Sequence, residues 1–311
     1  MRRMFAGLNG SKAISECGNG PDLFKAAPAQ LAALYYSLFC KSVGWIRLST
    51  TWKCGMTHPL RKKPVASNVT RFRDVRLEGP PSKKFGTWIR HVTRPIADRS
   101  VEKSQFGSGL NNGATETTYL ANAAAIDAVV AWGFCAASVF VDISSAFAEV
   151  ERCLVVDDCA SADRLRLALG NYGVPMLLVD DMVAEIADTS FWARNGASAH
   201  LEAQLGACLS NTFATFEGVA GGTRMARGTG AGNPLADLMF LLAFMKVIQR
   251  LRKALMEAGL VVTFDVNGAR SFLGLFTGDT AEPDVDKVTL RDVSFADDLA
   301  YQAGIRDRKP A

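Results

Sequence analysis

Two short apolar segments in the second half of the chain end in aspartate. Residues 137–141 lead into Asp142, and residues 293–296 lead into Asp297 and Asp298. Apolar runs of this length are typical of buried strands, whereas residues 234–254 place apolar side chains at the spacing of a helix. Strands and helices therefore interleave in this half, which predicts a fold that contains both.

Apolar spacing and turn residues indicate further elements elsewhere in the chain. Residues 22–43 predict a helix or, because Pro28 interrupts the pattern, a pair of helices. Between residues 52 and 77 the pattern predicts strands joined by a basic turn. Other helices are predicted over 83–91, 117–132 and 163–170, strands over 261–265 and 288–295, and a polar loop over 107–113, while 191–207 and 219–223 fit no element clearly.

The composition is that of a globular protein. The 311 residues allow two domains or one large domain, and with 49% hydrophobic and 21% charged residues the chain is neither wholly disordered nor collagen-like. The longest apolar run, residues 128–141, is shorter than the ~18 residues that cross a bilayer, so no membrane partner is expected. The seven cysteines lack CxxC spacing, which favours a reduced intracellular compartment, nucleus or cytoplasm, without a zinc site or disulfides.

Charge is distributed unevenly along the chain. Residues 1–110 hold 19 Lys and Arg against 6 Asp and Glu, whereas the remainder holds 16 basic and 25 acidic residues. A single basic cluster is most often a solvated surface, but an excess of this size over a third of the chain is suited to a polyanion. The sequence therefore predicts salt-dependent binding of nucleic acid to the first third.

The aspartates at the strand ends are candidate metal ligands. Asp142, Asp297 and Asp298 would form an all-oxygen site of the kind that binds Mg²⁺ if the fold brought them together. Two such ions, ~3.5 to 4 Å apart, can activate a 3′-hydroxyl and stabilise a leaving pyrophosphate. The alternative is ordinary turn aspartates, because the pairs at 157–158 and 180–181 show that adjacent aspartates occur elsewhere in this chain.

Three segments, taken in order, resemble the catalytic motifs of reverse transcriptases. Residues 140–147 read FVDISSAF, residues 228–240 read GTGAGNPLADLMF, and residues 295–298 read FADD. Upstream segments are similar to the fingers of the reverse transcriptases of non-LTR (LINE-type) retrotransposons: WK at 52–53, PLRKK at 59–63, FRDVRL at 72–77, Lys83 or Lys84, and QFG at 105–107. The resemblance extends over roughly residues 20 to 302.

The resemblance implies an α+β right-hand polymerase whose palm is an antiparallel sheet backed by helices. It implies a poorly defined segment at 1–19, basic fingers at 20–115, a palm at 116–302 that fingers elements can interrupt, and a polar tail at 303–311. It further implies an RNA-directed DNA polymerase that acts on an RNA template, a DNA primer and deoxynucleoside triphosphates, with two Mg²⁺ ions or Mn²⁺ as cofactor. The chain ends soon after the FADD motif, so the thumb is expected to be absent and extension by this chain alone is expected to be poor.

The resemblance also assigns roles to individual residues. Asp142 and Asp297 match the metal-binding aspartates, and Asp298 matches the companion acid. The residues that match nucleotide-binding positions are Lys62, Lys63, Arg73, Phe147 and Gly232. Phe147 matches the aromatic that excludes a ribose 2′-hydroxyl, or it is a core phenylalanine, and Gly232 either lets the backbone approach the nucleotide or only precedes a helix.

Departures from the family pattern leave a second function open. The chain has Ala231 where the family usually has Gln, Asn233 where it usually has Asp, and Ala148 where Asp is common. The loss of the Gln removes a side-chain contact to the incoming nucleotide, so a catalytically inactive nucleic-acid-binding remnant of a retrotransposon polyprotein is the alternative. A phosphatase or nuclease with an aspartate cluster is a third hypothesis, which leaves the order of the motifs unexplained.

Overall fold

The computed structural model of this protein shows a mixed α/β fold. It describes residues 1–10, 18–62, 68, 72–101, 104–131, 134–143, 146–152, 162–171, 173–187, 191–259, 263–265, 287–289, 293–295 and 298–306. The chain forms two compact units, each made of two stretches of sequence. Unit 1 contains Met1–Ile96 and Phe147–Met239, and unit 2 contains Ala97–Ala146 and Phe240–Ala311. The predicted fingers and palm ranges remain predictions.

The elements are numbered in chain order. The helices are α1 Arg2–Ala6, α2 Pro21–Ala26, α3 Pro28–Trp45, α4 Thr50–Lys53, α5 Pro80–Ser100, α6 Thr115–Ala131, α7 Ala146–Glu149, α8 Ala162–Asn171, α9 Met176–Ala187, α10 Phe191–Arg194, α11 Ala199–Leu209 and α12 Ala236–Glu257. The strands are β1 Cys54–Arg61, β2 Phe72–Leu77, β3 Phe134–Asp142, β4 Phe213–Phe216, β5 Thr223–Arg224, β6 Thr263–Asp265, β7 Lys287–Thr289, β8 Val293–Phe295 and β9 Asp298–Arg306.

Helices and a mixed sheet make up unit 1. The predicted pair of helices is confirmed as α2 and α3, and Pro28 begins α3, where a missing N–H costs nothing. The sheet has the order β2-β1-β4-β5, in which β1 is antiparallel to β2 and parallel to β4. The predicted strands are confirmed as β1 and β2, and most of the predicted basic turn between them lies outside the described residues. Phe39, Trp52 and Phe85 hold α3, α4 and α5 together, with ring centroids 5.0 to 5.4 Å apart.

Unit 2 contains a three-stranded antiparallel sheet in the order β3-β9-β8. Helix α6 packs against all three strands. The predicted burial of residues 137–141 is wrong for Val139, Phe140 and Val141, which are exposed, Phe140 by 72%. Successive side chains of a strand lie on opposite faces, so the exposure of all three means that both faces of β3 are open at this end, and an apolar run is buried only where both faces are covered. Strands β6 and β7 form a separate antiparallel pair.

Two predicted helices have different bounds in the structure. Helix α5 continues past residue 91 and through Pro95, because Ile89 and Ile96 are buried on both sides of the proline and their packing outweighs one lost hydrogen bond. Helix α12 begins at Ala236, after a turn in which the Asn233 Oδ1 accepts a hydrogen bond from the Leu235 N–H at 2.8 Å. Among the described residues, no helix is long and apolar enough to span a membrane.

Candidate active site

The structure pairs two of the three predicted metal ligands across neighbouring strands. Asp142 is the last residue of β3 and Asp298 the first residue of β9, and the two are direct partners in the antiparallel ladder. Partners in such a ladder have Cα atoms about 4.5 to 5.5 Å apart. They come together although 156 positions separate them in the chain. Asp142 is exposed, as a carboxylate that receives a cation from solvent must be.

The third aspartate directly precedes β9 in the chain. Phe295 of β8 pairs with Asp298 of β9, which leaves Ala296 and Asp297 as the connection. Asp297 lies outside the residues that the structure describes, so its role remains a prediction. Within the described part of the chain, no group of three or more His, Cys, Asp or Glu side chains is placed to hold a metal ion.

Two of the predicted triphosphate-binding residues, Lys62 and Arg73, lie near the end of β1 and the start of β2. Arg73 is opposite Leu60 in the ladder and is exposed, and Lys62 follows the last residue of β1 and is also exposed. Lys63, between these strands, falls outside the described residues. The two side chains are therefore accessible to an anion from solvent, and their role as nucleotide ligands remains a prediction.

Main-chain hydrogen bonds join the end of the first motif, and the residues just after it, to the start of the second motif. The Phe147 carbonyl accepts a hydrogen bond from the Thr229 N–H at 2.8 Å, and the Gly228 N–H donates to the Val150 carbonyl at 2.8 Å. Gly228 has a φ of +79°, and a Cβ there would lie 2.7 Å from the Ala148 carbonyl oxygen. The Phe147 side chain is half-buried, which agrees with either predicted role.

A buried arginine that the sequence analysis missed supports this junction. Arg152 donates hydrogen bonds from Nε to the Gly228 carbonyl at 2.8 Å, from Nη1 to the Leu209 carbonyl, and from Nη2 to the Thr212 hydroxyl at 2.9 Å. The guanidinium thereby satisfies carbonyl groups that burial would otherwise leave without partners. Its position beside the apolar run at 153–156 was the available signal that this arginine is not a surface residue.

A second buried network holds the loop that carries Gly232. The side chains of Arg76 and Glu78 are 6% and 0% exposed, and the Arg76 Nε lies 3.3 Å from the Glu78 Oε1. The Asn233 Nδ2 donates to that same oxygen at 2.8 Å, and the Ser82 hydroxyl donates to Oε2 at 3.1 Å. The Arg76 Nη2 donates to the Lys53 carbonyl at 2.8 Å. The alternation Val75, Arg76, Leu77, Glu78 put both charged residues on one face of the strand pattern, a signal that could have identified the pair.

No protein-family model and no curated protein matches this chain.

Lys53 and Cys208 lie at the edge of this network. Burial lowers the pKa of Lys53, whose Nζ donates to the Ser210 carbonyl at 3.0 Å. Burial, and then the negative charge of Glu78, raise the pKa of Cys208 to about 12. The Cys208 thiol is therefore protonated at neutral pH and is not an activated cysteine nucleophile.

Gly232 is required by its surroundings. It has a φ of +100°, and a Cβ at this position would lie 2.3 Å from the Arg76 carbonyl oxygen. The Arg76 N–H donates to the Ala231 carbonyl at 2.8 Å, so the main chain on both sides of the contact is fixed. This close approach explains the glycine by packing within unit 1, and it leaves the predicted approach to a nucleotide untested.

Replacing Gly232 with alanine is expected to lower the free energy of unfolding by about 2 to 3 kcal/mol, because the new methyl group meets backbone at a φ that L residues avoid. Urea denaturation measures the change. Gly44→Ala is the matched control, since Gly44 lies inside α3 and a methyl group there meets no atom within 4 Å. The control is expected to raise stability by about 0.5 to 1 kcal/mol. Equal effects of the two substitutions on the free energy of unfolding would contradict the conclusion that packing requires glycine at position 232.

Proposed function

We propose that this chain is the RNA-directed DNA polymerase domain of a non-LTR retrotransposon, with the right-hand arrangement of fingers and palm. The observation that carries the proposal is the pairing of Asp142 with Asp298 at adjoining strand ends. It brings the acidic residues of the first and third motifs together from distant parts of the chain. An antiparallel sheet with a helix packed against it, as formed by β3, β8, β9 and α6, agrees with a polymerase palm.

The donor set suits the cation that this reaction needs. Carboxylate oxygens are the protein ligands that Mg²⁺ and Mn²⁺ prefer, and Asp142, Asp298 and Asp297 would hold the ions. When bound, the two ions would promote ionisation of the primer 3′-hydroxyl and neutralise the leaving pyrophosphate. In the reaction the 3′-oxygen forms a bond to the α-phosphorus of the nucleotide, the bond from that phosphorus to the bridging oxygen breaks, and the hydroxyl proton passes to solvent.

The basic residues of the first third are proposed to bind the anionic substrates. Arg73 and Lys62 are exposed and carry the charge that a triphosphate attracts, and a guanidinium can form two hydrogen bonds to one phosphate. The excess of positive charge over residues 1–110 suits the RNA template and the DNA primer. Phe147 and Gly232 are proposed nucleotide contacts.

One feature of the described residues favours the alternative of a nucleic-acid-binding remnant. Ala231 contributes its carbonyl to the Arg76 N–H, and its methyl side chain has no group that can contact a nucleotide through a hydrogen bond. A remnant would keep the basic surface and would lack incorporation.

Template-directed incorporation separates the two functions. The chain, in excess over a primer annealed to an RNA template, is mixed with one labelled deoxynucleoside triphosphate and Mg²⁺ or Mn²⁺. The polymerase proposal expects one-nucleotide extension only when the nucleotide complements the template, and none with EDTA. Salt-dependent RNA binding without any extension would favour the remnant, and the absence of both would overturn both functions.

A further inference from the structure

We infer that Glu78 and Asn233 are a matched carboxylate and amide pair that positions the loop 228–235, so that Asn233 is a positioning residue for the incoming nucleotide. The pair itself follows from the contacts within unit 1. Its effect on a nucleotide rests on the proposed function.

The carboxylate of Glu78 has a partner for each oxygen. Oε1 accepts from Asn233 and faces Arg76, and Oε2 accepts from Ser82. Its side chain is fully buried. Because both oxygens of this buried carboxylate already face donors, replacing one of those donors by an acceptor would place two acceptors against each other.

The amide of Asn233 is used at both ends. Its Nδ2 donates to Glu78 at 2.8 Å, while its Oδ1 accepts from the Leu235 N–H at 2.8 Å. The main-chain carbonyl of Asn233 also accepts from the Ala236 N–H at 3.0 Å. Among side chains of this length only an amide both donates and accepts in this way, because a carboxylate has no donor when ionised. Asn233 therefore ties the start of α12 to the end of β2.

The position of Asn233 determines the position of the residues before it. The Arg76 N–H holds the Ala231 carbonyl at 2.8 Å, and the Gly232 backbone lies against the Arg76 carbonyl. A repelled side chain at 233 would pull this loop away from β2. Under the proposed function the loop contacts the nucleotide, so the displacement should raise KM for the nucleotide more than it lowers kcat.

Arg76 from β2 faces the pair with its charge, and Cys208 from α11 lies close enough to Glu78 for that charge to raise its pKa, while Lys53 from α4 contributes its main-chain carbonyl to Arg76. Asn233→Asp would add a second carboxylate beside Glu78, and two carboxylates at this distance cannot both be ionised without strong repulsion. Glu78→Gln combined with Asn233→Asp restores one carboxylate and one amide, with the two groups exchanged.

The experiment compares the wild-type chain, the two single variants and the double variant, with Asn171→Asp as control because Asn171 is exposed at the end of α8. Hydrogen exchange of the Arg76 and Leu235 amides, thermal midpoint, and KM and kcat for a deoxynucleoside triphosphate are measured. For Asn233→Asp we expect exchange of both amides to accelerate at least about 10-fold, the midpoint to fall by about 5 to 10 °C, and KM to rise about 10-fold with a smaller change in kcat. The double variant should recover part of each change, because Arg76 then faces a neutral group at position 78, and the control should show none.

The outcomes distinguish the inference from the proposed function. A double variant no better than Asn233→Asp in hydrogen exchange and midpoint would overturn the pair. If the double variant recovers both hydrogen exchange and midpoint, but Asn233→Asp leaves KM unchanged, the positioning role is overturned and the pair is a structural contact. If no variant, including wild type, incorporates a nucleotide, the proposed function fails, whereas recovery of amide protection in the double variant would still support the pair.

Discussion

Asp142→Asn is expected to lower template-directed incorporation by at least about 10²-fold, because an amide at the end of β3 cannot supply the negative charge and the two acceptor oxygens that a divalent ion needs. Asp142 is exposed and pairs with Asp298 through the main chain, which the substitution leaves intact. The free energy of unfolding should therefore change by no more than about 0.5 kcal/mol.

The measurement is single-turnover extension of an RNA-templated primer, together with Mn²⁺ binding followed by electron paramagnetic resonance. Asp127→Asn is the matched control, since Asp127 is also exposed and also in unit 2, on α6. The control should bind Mn²⁺ and extend the primer as the unchanged chain does. Extension by Asp142→Asn at the wild-type rate would remove Asp142 from the proposed metal site.

Arg76→Met is expected to destabilise the protein by about 3 to 5 kcal/mol, because it leaves the buried Glu78 carboxylate without its charged partner. It also removes the donor to the Lys53 carbonyl and so leaves a second polar group unsatisfied. Adding Glu78→Gln should recover part of the loss, since a neutral amide is cheaper to bury than an unpaired charge.

Denaturation by urea, monitored by tryptophan fluorescence, gives the free energy of unfolding of each variant. Arg73→Met provides the control for the loss of an arginine from the same strand, because Arg73 is exposed and its replacement should change stability by no more than about 0.5 kcal/mol. If the two substitutions cost the same, the buried ion pair does not stabilise unit 1.

Local elements of this fold followed from local sequence. The pair α2 and α3 was predictable because a proline is favoured at the start of a helix and disfavoured inside one, and strands β1 and β2 because a run of basic residues separates two short apolar patterns. Helix α12 was predictable from its apolar face. Its first residue was not, because the turn at Asn233 depends on a contact with Glu78 from another part of the chain.

Pairings between distant segments did not follow from the sequence pattern. Nothing in residues 54–61 indicates that β1 runs parallel to β4, because strand register depends on which surfaces meet after collapse. The same holds for the exposure of Phe140, which an apolar run alone suggested to be buried. Arg76, Glu78 and Arg152 were missed because charged residues are usually exposed and become buried only where partners from distant segments satisfy them.

The pairing of β3 with β9 also has a consequence for biosynthesis. A ribosome adds about 5 to 20 residues per second, so roughly 8 to 30 s pass between synthesis of Asp142 and of Asp298. During that interval β3 has no β9 to pair with, and it presents Val139, Phe140 and Val141 beside an unsatisfied strand edge. The nascent chain is therefore exposed to intermolecular strand pairing for longer than a protein whose sheet closes through local hairpins, which favours aggregation during synthesis.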